Sequence, residues 1–206
     1  MQALELINKT REYLNYLEEH ILYVQKAWVD IQVKCRDMRF VYDDFVYNWI
    51  GMEVQQHDIS KLGPEELVQY RRQFYPLSDR EKGAGFDAAW EHHKRFNPHH
   101  WENWTKETYT DPFEWEVHCV HMVIDWTAMG YKFGDTAKEY YEKNKPKIDL
   151  PDYAEDFIYE IFKRLEGDDP GRHETTPGDT GKDSSACNSS VHFQGRKPRS
   201  NVDLRR

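Results

Sequence analysis

Apolar residues recur at threes and fours along most of this chain, and they almost nowhere alternate as a half-buried strand requires. Leu6, Tyr13, Leu14, Leu17, Ile21, Val24, Trp28 and Ile31 keep that period and predict one long helix over residues 3–34. Phe40, Val41, Phe45, Val46, Trp49, Ile50 and Val54 predict a second helix ending near Gln56. Gly63-Pro64-Glu65-Glu66 reads as a helix start, with proline early and acids in the first turn, and Pro76 stops that third helix near Tyr75. A fourth carries Phe86, Ala89, Trp90 and His93 on one face and ends at Asn97-Pro98. Residues 113–130 predict a strongly apolar fifth helix closed by Gly130, and residues 136–144 and 152–165 supply two more. The expected fold is an all-α bundle of about seven helices over residues 1–166, with no internal repeat.

Composition divides the chain at Gly167. The 40 residues from there to Arg206 hold six apolar side chains and one of the 30 aromatics, so the other 29 belong to the helical part. A segment rich in Gly, Pro, Ser, Thr and Asp cannot bury enough surface to offset its ordering entropy, and 167–206 is expected to be a disordered polar tail. With 28 basic and 37 acidic residues the net charge is −9, a poor match to phosphate-backbone binding, and no strong nucleic-acid signal is present. Three cysteines form no C-x-x-C pair or even-numbered framework, which suits a reducing compartment. No apolar run approaches the roughly 20 residues of a bilayer span, and the N-terminus lacks a signal-peptide core. A cytoplasmic protein is expected.

Eight of the ten histidines lie before residue 167. His20 borders the buried stripe of the first helix and, taken alone, reads as a core histidine. His57-Asp58 ends the second helix, where an imidazole nitrogen and a carboxylate oxygen can reach one divalent cation. Asp125 stands inside the most apolar helix, an expensive place for a carboxylate unless it is paired, hydrogen-bonded or metal-bound. His93 follows Phe86 by seven and Trp90 by three and faces inward, whereas His92 points elsewhere and is expected to be solvated. His118 and His121 precede Asp125 by seven and four; one can approach it, but both read as helix-surface or supporting groups. Trp90, Trp101, Trp104 and Trp126 read as core rather than as a base-stacking platform, and Cys119 as a plain helix residue. No P-loop and no nucleophilic Cys or Ser motif is present.

The order His20, His57-Asp58, Asp125 on an all-helical chain resembles the HD-domain superfamily of metal-dependent phosphohydrolases. HILYV resembles that superfamily's first-helix motif and HDISK the HDIGK form of its second; the GYP triplet of one two-metal branch is absent. HDISKLGPEE, QFYP, AWEHHKRFNPHHW and MVIDW together also resemble a small family of phage and bacterial proteins without an assigned activity, over most of residues 15–150. The resemblance implies an HD-like bundle in which His20, His57, Asp58 and Asp125 hold a divalent metal. His93, His99 and His100 would then serve a second metal or the substrate phosphate.

It also implies a mechanism. One or two ions (Fe, Mn, Zn, Co or Ni) activate a water, Asp58 acts as ligand and partner of that water, and Lys61 and the histidines stabilise charge on the phosphoryl oxygens. The substrate implied is a nucleotide or related small phosphoester. A non-catalytic helical binding or regulatory protein stapled by the same metal, and a di-iron oxygenase of HD type, are the competing readings. A lone lysine in a loop, Lys61 is equally well a surface residue.

Overall fold

The structure, a computed structural model, describes residues 2–103 and 113–167. It is all-helical, with no strand among the described residues: α1 (Gln2–Lys34), α2 (Arg39–Tyr42), α3 (Asp44–Gln55), α4 (Leu67–Phe74), α5 (Phe86–Phe96), α6 (Glu114–Phe133), α7 (Ala137–Asn144) and α8 (Asp152–Glu166). Three short 3-10 turns, Ile59–Leu62, Asp79–Glu81 and Trp101–Asn103, join them. Trp104 and the polar tail beyond Gly167 lie outside the described residues. No helix among the described residues is long and apolar enough to cross a membrane.

Eight helices stand where about seven were expected, because the second is two. Asp43 leaves the helical conformation (φ −88°, ψ 108°) and its carboxylate accepts from the backbone N–H groups of Phe45 and Val46, so it caps α3 and separates α2 from it. Gly63–Glu66 makes turns rather than helix, and α4 begins at Leu67. Gly130 does not close α6, which runs on to Phe133 and ends at Gly134 in the left-handed region (φ 87°). Gly130 serves a different need: a Cβ there would stand 2.2 Å from the carbonyl oxygen of Asp135, where the chain turns back against the helix.

α1 and α6 form the most extensive helix pairing, and two cores flank their contact. The larger is mainly aliphatic with aromatic members, built from Val24, Trp28 and Ile31 of α1, Ile50 of α3, Val120, Val123 and Ile124 of α6, and Ile158 and Phe162 of α8. Each of these buried side chains contributes about 1.5–3 kcal/mol. The smaller core is aromatic: Tyr13 and Tyr16 of α1, Tyr70 of α4, and Phe86 with Ala89 of α5. Leu6 and Leu14, expected inward on α1, are 42% and 40% exposed. His20 lies one turn from Tyr16 on one side and one turn from Val24 on the other, so α1 carries it to the seam between the two cores.

Candidate metal centre

Four separate stretches of chain converge on that seam. α1 supplies His20, the corner after α3 supplies His57 and Asp58, α5 and the turn after it supply His93, His99 and His100, and α6 supplies His121 and Asp125. Successive residues on a helix point about 100° apart, so His57 and Asp58 cannot both face one centre on α3 itself. The corner solves this with Asp58 in the left-handed region (φ 57°, ψ 17°), the single non-glycine residue with positive φ among those described. Aspartate is one of the few residue types that tolerate it. The backbone then continues into the Ile59–Leu62 turn, where Lys61 Nζ reaches Asp58 Oδ2 at 2.6 Å.

Asp58 is 1% exposed and faces two groups at once. Its Oδ2 is 3.5 Å from His20 Nε2 and 3.4 Å from His57 Nε2. Its Oδ1 is 3.2 Å from His93 Nε2 and 3.9 Å from His99 Nε2. Asp125 Oδ1 closes the first group, 3.2 Å from His20 Nε2 and 3.8 Å from His57 Nε2. The ligand-type atoms of His20, His57 and Asp58 lie within 4.8 Å of one another, as do those of Asp58, His93, His99 and His100. Ligands about 2.1 Å from one ion stand roughly 3–4 Å apart, so both groups have the spacing of a metal site.

Hydrogen-bond bookkeeping points the same way. Asp58 Oδ1, Asp125 Oδ1 and the Nε2 atoms of His93, His99 and His100 are buried without a hydrogen-bond partner. Native proteins leave few such atoms, because each costs about 1–3 kcal/mol. His20 Nε2 and His57 Nε2 also face each other at 2.9 Å, while His57 Nδ1 faces His121 Nε2 at 2.9 Å. A cation between the lone pairs would satisfy atoms that this protein's own donors do not. The residues present therefore fit a bound divalent ion in chemistry and in spacing.

The charges fit as well. Burial opposes ionisation of Asp58, but His57, Lys61 and His93 beside it prevail and hold its carboxyl well below the usual carboxylate range. Burial likewise opposes ionisation of Asp125, and His20 reverses it downward. Burial would lower His20, yet Asp125 and Asp58 raise it to about 9: the two carboxylates favour a positive charge at this point, and a bound cation would have to displace that proton. For His99, His100 and His121, burial comes first and neighbouring imidazoles add to it, pushing all three well below the ordinary histidine value, toward the neutral form that ligates metals.

One site residue, His92, corrects the sequence reading; a second, His121, takes the supporting place that was one of its two readings; and a third goes beyond it. His92 is not solvated; it is half-buried, and its Nδ1 donates to Glu66 at 2.7 Å. His121 is not on the helix surface; it is 1% exposed against His57, and its Nδ1 is 4.0 Å from Glu53. Glu66, read from sequence as a first-turn acid, is fully buried and also accepts from His93 Nδ1 at 2.8 Å. With its Nδ1 proton committed to Glu66, His93 presents Nε2 to Asp58, the arrangement by which carboxylates orient metal-binding histidines. Asn97 donates to the His93 carbonyl at 2.7 Å and to Ser60 Oγ at 2.8 Å, fixing the end of α5 against the Asp58 corner.

The site opens onto a cavity of about 270 Å³, lined at its floor by His20, Asp58 and Asp125 and beside them by Lys61 and His100. Trp90, Trp101 and Trp126 line its wall. Trp126 is core, stacked on Tyr141 at 5.8 Å, while half-buried Trp90 stacks on His93 at 5.8 Å.

The sequence model of a family of unknown function (DUF5662) matches residues 9–164, spanning every residue of the site, and the chain belongs to that family. No curated protein and no solved structure matches it.

Proposed function

We propose, for a member of a family that comes with no activity attached, that this protein is a metal-dependent phosphohydrolase of the HD-domain kind, acting on a nucleotide or related small phosphoester. His20, His57, Asp58 and Asp125 would hold one divalent ion, and Asp58, His93, His99 and His100 a second. A bound ion of this type supplies Lewis acidity, making hydroxide available near neutral pH. Asp58 fixes both ligand groups through its two oxygens. Lys61, already 2.6 Å from Asp58, brings a positive charge to the cavity floor, where it would hold a phosphoryl oxygen and offset the charge that grows there. Glu66 holds the His93 ring in place.

The observation that carries this reading is the cavity. His20, Asp58, Asp125 and His100 border it, so the ligand groups face a space that a small molecule can enter. A metal that only staples helices is normally enclosed by four protein ligands, whereas a catalytic one keeps an open position. The opening therefore favours hydrolysis over the stapled binding protein.

The test is elemental analysis of anaerobically purified protein, followed by a panel of phosphoesters assayed with the metal found. Expected is bound Fe, Mn, Zn, Co or Ni with phosphate release that disappears in Lys61→Ala while metal is retained. Metal without turnover of any phosphoester moves the assignment to the stapled binding protein. Absence of metal even after reconstitution rejects both.

A further inference from the structure

Away from the metal centre, α1 carries a second apolar face. Its inner side buries Tyr13, Leu17, His20, Val24, Ala27 and Ile31. On the opposite side Leu4, Ile7, Leu14, Leu22, Val29 and Val33 are 69%, 51%, 40%, 57%, 56% and 69% exposed. At about 100° per residue these six fall in one stripe roughly 100° wide that runs about 44 Å along the helix. Single exposed apolar residues are ordinary. A row of roughly 500 Å² along one helix face has the size that marks an interaction surface.

The order of residues along this stripe says what covers it. Polar positions, Arg11, Asn15, Glu18, Gln25 and Gln32, interrupt the apolar ones, and between Ile7 and Val29 the apolar positions of the stripe are mirrored about Glu18. Leu14 and Leu22 lie four residues either side of it, Arg11 and Gln25 seven, Ile7 and Val29 eleven. Leu4 and Val33 lie fourteen and fifteen away. A second copy of α1 laid antiparallel, with a two-fold axis at Glu18, sets Leu14 against Leu22, Ile7 against Val29 and Arg11 against Gln25, while toward the ends Leu4 falls opposite Gln32. That self-complementarity is what an isologous interface requires. A parallel pairing would set Arg11 against Arg11 and Glu18 against Glu18; the antiparallel one leaves a single like-charge contact, at the axis.

We propose that this chain forms a weak antiparallel homodimer through the outer face of α1, independently of any activity of the metal centre. Two copies would bury roughly 1,000 Å², the low end for a specific interface, so dissociation is expected at a Kd on the order of 10 µM.

Sedimentation velocity of the full-length chain between about 1 and 300 µM, a range that brackets that constant, tests it. Expected is a concentration-dependent shift from monomer to dimer. Leu14→Glu with Leu22→Glu should abolish it with circular dichroism unchanged, because both residues are exposed. Glu18→Leu should tighten the dimer several-fold by removing the like-charge pair. In a Cys187→Ser background, mixed Ile7→Cys and Val29→Cys chains should cross-link to each other, and Ile7→Cys should not cross-link to itself. A wild type that stays monomeric throughout overturns the proposal and assigns the stripe to another partner or to this chain's own residues beyond 167. So does a dimer that survives the paired glutamates, or one that Glu18→Leu weakens.

Discussion

Among the described residues, Glu116 and the cluster of Asp58 and Asp125 bury carboxylate oxygens in opposite ways. Glu116, 2% exposed at the start of α6, meets the guanidinium of Arg39, which also lies 4.8 Å from the centre of the Phe113 ring. Neither residue has a side-chain atom left buried without a partner. At the seam between the cores, Asp58 and Asp125 each keep a buried oxygen without a hydrogen-bond partner, and that of Asp58 faces the equally unpartnered Nε2 atoms of His93 and His99. Side by side, the two places separate a charge pair that completes itself from a cluster that is completed only by something added. Burial of charge alone does not mark a functional site; convergent incompleteness does.

The largest break in that comparison is Asp58→Asn. Asparagine keeps the shape and tolerates the left-handed backbone, so the corner should persist while the charge shared by both ligand groups is lost. Metal affinity is expected to fall by more than about 100-fold, beyond what losing a supporting residue costs, with helix content retained. Unchanged metal content by elemental analysis would remove Asp58 from the site. Glu66→Gln is the graded version. His93 and His92 lose an ionised acceptor, and affinity for an ion at the Asp58, His93, His99 and His100 group should fall about 10–100-fold. The His20, His57 and Asp125 group should keep its metal, so titration should lose one of two binding events. Equal loss at both groups would show that Glu66 supports the fold rather than one ion.

The other side of the comparison breaks through stability instead. Arg39→Ala strands Glu116 without its cation, and a cost of about 1–3 kcal/mol is expected in urea unfolding, since Arg39 is partly exposed and water can relieve part of the loss. Metal content should not change. A drop in metal would mean that the two buried charge systems are coupled through α6.

How much of this was legible beforehand differs between the same two kinds of place. Helices announce themselves where one face is apolar, and α1, α5, α7 and α8 stand within a residue or two of their expected bounds. The boundaries that moved have separate causes: Asp43 caps α3 locally, Glu66 turns inward to His92 and His93 across the fold, and α6 runs past Gly130 to Gly134. Periodicity separates His93 from His92 because α5 has a clear inner face. On α6 it fails, since an almost unbroken run from Glu116 to Ile124 is buried and no face is left to distinguish His118 or His121. The one sequence signal for His121 was its four-residue spacing from Asp125. Leu14 reads as inner because a helix with two apolar faces gives the same period for both, whereas Leu6 is on the inner side but lies in the first turns of α1, which are exposed all round. The clustering of ligands from α1, α5 and α6 is tertiary, and only the resemblance to HD-domain proteins brought those residues together in advance.

His118 sharpens the comparison from a third position, and its expected effect is the smallest. It is 4% exposed on α6, three residues from His121 and outside both ligand groups, with the Trp49 ring edge-on at 6.5 Å. Burial lowers its pKa to about 4, against about 6.5 in an unfolded chain. Between those values the unfolded state binds more protons than the folded one, so stability rises with pH and is lost on acidification. From pH 7 to pH 5.5 the loss attributable to this one group is about 1 kcal/mol. The ligand histidines titrate over the same range, so the informative quantity is the difference in that slope between the wild type and His118→Gln. A shallower slope in the variant identifies an imidazole held neutral by burial in the folded state. Equal slopes would mean that burial on α6 penalises protonation of His118 less than expected.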